Sequence, residues 1–131
     1  MQIDIQDFPL VRMDYSGAGN QTIEETLQVL EQCLQRKQAF VFLGGGADFD
    51  KDPNENVADR RAVAVWMKQH KAELRDYAKA MYYVEASTVK RLAAKAFSVI
   101  YGKFWGHPMI VTASLDEAVQ EARQLLEMSS E

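Results

Sequence analysis

Cysteine is nearly absent from this chain: Cys33 stands alone, so no internal disulfide can form and nothing calls for an oxidising compartment. A cytoplasmic location is the expectation. Histidine is almost as scarce, and His70 and His107 lie in no ligand spacing with each other or with Cys33, so no metal site is expected from them. Long apolar runs are missing too, which excludes stable membrane insertion, and Met1–Asp7 has neither the basic start nor the apolar stretch of an ordinary signal peptide. There is no excess of positive charge. With 15 basic and 19 acidic residues, the net charge is −4, which offers no footprint for a phosphate backbone and disfavours nucleic acid as well as anionic membranes. Neither GxxxxGK[ST] nor GxGxxG occurs, and no nucleophile, base and acid fall into a recognisable catalytic pattern. No catalytic residue and no cofactor are therefore expected, and whether the chain is an enzyme stays open, with the balance against it.

What is present is one domain's worth of chain, residues 1–131, organised around Phe40-Val41-Phe42-Leu43-Gly44-Gly45-Gly46. Four consecutive apolar residues stopped by glycines read as a strand covered on both faces. Before it, Ile3, Ile5 and Phe8 alternate with polar residues up to Pro9, and Val11, Met13 and Tyr15 alternate after it, giving an edge strand or hairpin and then a second strand. Thr22 with Glu25 forms a capping box that opens a helix with Ile23, Leu27, Leu30 and Leu34 on one stripe. A long helix is expected to start between Asp52 and Asn56 and run to about Ala72 or Leu74, with Ala58, Ala62, Val65 and Trp66 inward. A third core strand covers Ala80–Val84. A further helix after Ser87 or Thr88 has Val89, Leu92, Ala93, Ala96, Phe97, Ile100 and Tyr101 as an apolar face and ends at Gly102. Met109–Thr112 is the last strand, and Ser114 with Glu117 caps a final helix carrying Leu115, Ala118, Ala122, Leu125 and Leu126 inward.

Strands joined by helical crossovers are parallel, and consecutive units wind the sheet in one direction. The expected fold is α/β, a mostly parallel sheet of about four core strands with an N-terminal edge strand or hairpin and four helices. In such sheets ligands gather at the strand C-termini. The candidate site face therefore holds Gly44, Gly45, Gly46, Asp48, Asp50, Ser87 and Ser114, with Arg60 and Arg61 as anion-contacting groups from the helix that follows. Asp48, Asp50, Asp52 and Asp59 resemble the spacing of a calcium loop, but Pro53 stands where that loop turns on glycine, and a solvated acidic loop reads better. Trp66, Tyr101, Phe104 and Trp105 are candidate pocket or interface aromatics, the last two in a connection between helix and strand.

Phe8-Pro9-Leu10 leading to Asp14-Tyr15-Ser16-Gly17, Phe40–Leu43, Arg60–Trp66, and Pro108-Met109-Ile110-Val111 before Ser114–Ala118 resemble the SpoIIAA-like family of small bacterial proteins, related to STAS and SEC14 domains. The resemblance implies a β-α superhelix. It leaves a phosphoswitch open, because the stretch corresponding to the STAS serine, Gly44–Asp59, has neither serine nor threonine. The functional expectation is a non-enzymatic binding or regulatory module that meets a protein partner or a small apolar ligand. A lipid-like carrier or small enzyme with an apolar pocket is the alternative. A homodimer through Tyr82, Tyr83 or Phe104–Trp105 stays open.

Overall fold

The computed structural model describes residues 1–17, 19–47 and 57–129. Five strands form one sheet: β1 (Gln2–Asp4), β2 (Leu10–Asp14), β3 (Phe40–Gly45), β4 (Ala78–Val84) and β5 (Met109–Thr112). They lie in the order β1-β2-β3-β4-β5, with β1 antiparallel to β2 and every other neighbour parallel. Five helices are interspersed: α1 (Ile23–Gln35), α2 (Val57–Gln69), α3 (Lys71–Tyr77), α4 (Thr88–Trp105) and α5 (Leu115–Ser129).

Each element starts where local chemistry favours it. Thr22 accepts from the Glu25 amide at 3.1 Å while the Glu25 carboxylate accepts from the Thr22 amide at 3.2 Å, completing the expected capping box of α1. Ser87 and Ser114 accept from the amides of Lys90 and Glu117 in the same way at the starts of α4 and α5.

Crossovers of one hand that step in one direction must put their helices on one face of the sheet. Accordingly α1, α2, α3 and α4 all pack on the face that carries Val11, Met13, Phe40, Phe42, Met81 and Tyr83. The other face, with Leu10, Val41, Leu43, Ala80 and Tyr82, is covered, among the described residues, by α5 through Ala118 and Ala122. The small alanines let that helix sit close to the strands. Phe40, Leu34 and Leu74 are among the fully buried large side chains, each worth about 2–3 kcal/mol of burial.

Three expectations are corrected. The long helix is broken at His70, whose backbone leaves the helical region (φ −116°, ψ 18°), so there are five helices rather than four; the break lets Leu74 of α3 reach the core. The fourth helix does not stop at Gly102. It continues through Phe104 and Trp105, which are therefore helical rather than part of a connection, and Gly106 caps it with a left-handed φ of 83°. The third correction concerns burial: Val65, Val89, Leu92, Phe97, Ile100 and Leu115 all point at least partly into solvent. Of the residues expected inward, Tyr101 of α4 and Trp66 of α2 are buried, and Ala94 and Met67 join them.

Candidate functional site

The C-terminal ends of β2, β3 and β4 form an open depression of about 500 Å³ on the α5 face. Its origin lies in the strand register. Gly45 is paired with Asp14 on one side and Val84 on the other, so a position without a side chain sits between two that have them. The next row along the strands runs Asp4, Arg12, Leu43 and Tyr82. Leu43, Val84 and Leu115 give the depression an apolar floor, and Asp4, Asp14 and Arg12 give it a charged rim.

The rim charges are held by their own chain. Asp14 Oδ1 accepts from the Ser16 amide at 2.9 Å, and hydrogen bonding to Ser16 pulls the carboxyl below the usual carboxylate range. Asp4 Oδ1 accepts from the Gln6 amide at 2.8 Å. Arg12 Nε lies 3.2 Å from Asp7, in a half-exposed ion pair. Gly46, at φ 85°, turns the chain away beside Ser16 and Asp14.

Beneath Gly44, on the opposite face of the sheet, lie aromatic side chains. A methyl group on Gly44 would stand 2.9 Å from Met81 Sδ and 3.0 Å from Tyr15 Cε2, so this glycine is required for close packing. The Tyr83 hydroxyl accepts from the Ala47 amide at 2.8 Å and pins the start of the following loop. Burial pushes the phenols of Tyr15, Tyr83 and Tyr101 up. Tyr101 Oη lies 2.9 Å from His107 Nε2, and burial lowers the His107 imidazole to about 4, so it is neutral at pH 7. His107 also stacks on Phe42, while its Nδ1 and the Trp66 Nε1 are buried without a hydrogen-bond partner among the described residues.

The structure thus divides the residues picked out by sequence. Gly44, Gly45 and Gly46 meet at the end of β3, with Gly44 and Gly45 lining the depression. Ser87 and Ser114 are helix caps. Arg60 and Arg61 are exposed on α2, a helix of the other face, and do not join the depression. Asp48 and Asp50 lie outside the described residues, as does most of the calcium-like spacing; Asp59 is exposed in the first turn of α2. Among the described residues no group of three potential metal ligands gathers. Trp66 stacks on His70 at 4.5 Å, Tyr101 and Trp105 surround His107, and Phe104 faces outward. Cys33 is fully buried in α1, and burial raises its thiol to about 11, which suits a packing residue.

Sequence reasoning missed Arg12, Asp14, Val84 and Leu115. The signal was present in the one-directional winding, which leaves a single helix to cover the second face and so leaves the strand ends there open. No helix among the described residues is long and apolar enough to cross a membrane. Comparisons with models of protein families, with curated proteins and with solved structures each find no match.

Proposed function

We propose that this chain is a non-enzymatic binding module of SpoIIAA-like fold that receives a short segment of a protein partner in the depression at the ends of β2, β3 and β4. The antiparallel first strand and the consecutively wound parallel sheet support that fold. One observation carries the functional reading: the depression is open, apolar on its floor, and rimmed by charges already engaged with the chain's own backbone and Asp7. A carboxylate that caps its own turn and is held ionised is poorly suited to general-base work. It suits the rim of an interface, where fixed charges select a partner and an apolar floor supplies affinity.

A photo-crosslinking side chain placed at Leu115, which lines the depression and is 44% exposed, tests this in cells producing the protein. The expected result is a protein-sized adduct that disappears when Arg12→Glu and Asp14→Lys reverse the rim. An adduct with a small molecule would favour the carrier reading instead. Absence of any adduct, or one indifferent to the rim reversal, would remove the depression as the site.

A further inference from the structure

The outer side of α4 is as apolar as its inner side. Val89, Leu92 and Ile100 are 76%, 65% and 63% exposed, and Val99 and Phe104 join them on the surface. An exposed apolar stripe of this extent is normally covered. α4 lies on the opposite face of the sheet from the depression described above, so its cover is a separate question from the partner proposed there.

We infer that the occupant is a second copy of this chain, with the two α4 helices packed antiparallel about a two-fold axis that passes between Ala96 and Phe97. The pattern of the helix specifies this arrangement. Counted from that point, Val89 and Phe104 are equidistant, as are Ala93 and Ile100. An antiparallel pair therefore places Ile100 of one copy over Ala93 of the other, and Phe104 over Val89, the larger side chain against the smaller in both pairs. Small residues near the centre let two helices approach closely. An isologous contact requires a surface that is its own complement, and the Val89–Phe104 and Ala93–Ile100 pairs meet that requirement.

Area agrees with the pattern, whereas charge does not drive it. The exposed apolar side chains of the stripe present roughly 600 Å² per copy, so a pair would bury about 1,200 Å², the lower end of specific interfaces. All four charges of α4 are positive: Lys90, Arg91, Lys95 and Lys103. Lys90 and Lys103 would be the opposed pair in sequence, but helical spacing sets them on opposite flanks of the stripe, and in antiparallel packing like flanks meet. Lys90 is thereby brought toward the Phe104 ring of the other copy rather than toward its Lys103, an arrangement that favours the cation. Arg91 is already engaged by the Glu85 and Ala86 carbonyls at 3.0 and 2.8 Å.

Sedimentation equilibrium and cysteine crosslinking test the pairing, and Cys33 does not interfere because it is fully buried. Wild-type protein is expected to sediment at twice 14.9 kDa. Ile100→Glu, an outward substitution, is expected to weaken the dimer by about 100-fold or more while leaving far-UV circular dichroism unchanged. Ala96→Cys should crosslink to itself under mild oxidation. Val89→Cys should not, but a mixture of Val89→Cys and Phe104→Cys proteins should crosslink to each other. A monomer at 100 µM or so would overturn the inference. So would a dimer indifferent to Ile100→Glu, or self-crosslinking of Val89→Cys, which would mean parallel helices. Binding of monomers to anionic vesicles that is lost in Ile100→Glu would assign the stripe to a lipid surface and overturn it as well.

Discussion

At pH 7 the imidazole of His107 is neutral because Phe42, Tyr101 and Trp105 surround it and water does not. Its folded pKa of about 4 lies below the ordinary 6.5, so on acidification the unfolded chain takes up the proton first. The resulting stability is complete above pH 6.5 or so, declines as the pH falls toward about 4, and amounts to on the order of 3 kcal/mol. Urea unfolding at pH 7, 5.5 and 4.5 should show this decline, and His107→Gln should flatten it. Below that window the carboxylates take over, Asp14 among them, since its lowered pKa gives stability that is lost only in stronger acid. Two further residues make sharp predictions. Thr22→Ala removes the oxygen that receives the Glu25 amide and should cost about 1 kcal/mol in denaturant unfolding. Gly44→Ala forces a methyl against Met81 and Tyr15 and should cost about 1–3 kcal/mol, accompanied by a change in tyrosine near-UV circular dichroism.

Among the elements, α4 has the least usual electrostatics. The first turns of α1, α2, α3 and α5 all contain an acidic residue, as the positive end of a helix favours, whereas that of α4 contains none and has Lys90. Lys90→Glu should therefore raise the unfolding free energy by roughly 0.3–1 kcal/mol in the presence of enough denaturant to keep the chain monomeric. A stabilising change at a cation is consistent with a residue kept for contact rather than for folding. The same helix shows where sequence reading reaches its limit. Periodicity correctly identified an apolar helix, but a periodic stripe reports only that a face is apolar; it does not say which neighbour covers it. Tyr101 lies on the expected stripe and Ala94 does not; the Tyr101 hydroxyl meets His107 from beyond the helix end, a contact that no helical spacing links, and turns that side of the helix to the sheet. Its terminus was misread for a related reason. Gly102 and Gly106 are equally suited to end a helix in isolation, and the packing of Trp105 beside Tyr101 and His107 extends it to the second. By contrast the caps at Thr22, Ser87 and Ser114 were legible, because each depends on residues within one turn.

For the molecule as a whole, the order and direction of the parallel strands were legible from the alternation of strands with helices, and the place of the first strand at an edge from Pro9 and the alternating residues around it. The depression was not, because it arises from the meeting of Asp14, Gly45 and Val84, three positions distant in sequence that share one cross-strand row. The uneven helix distribution also orders local stability. β3 and β4 are central and covered on both faces, whereas β1 is three residues long and lies at an edge. Amide hydrogen exchange should therefore be slowest in β3 and β4 and fastest in β1, with α2 exchanging faster than α1 because only Trp66 and Met67 of α2 are buried. Uniform protection across the sheet would contradict this.

The strand order has a consequence for biosynthesis. Since each parallel strand docks on the one just made, a nascent chain can build the sheet in the order in which it leaves the ribosome, without holding an early strand open for a late one. The exception is the second face. Leu10, Val41 and Ala80 wait bare until α5, the last of these elements, emerges to cover them. The interval between release of β5 and docking of α5 is when the growing chain is most exposed to misassociation. A stalled chain lacking α5 should be a stronger chaperone client than one lacking β1.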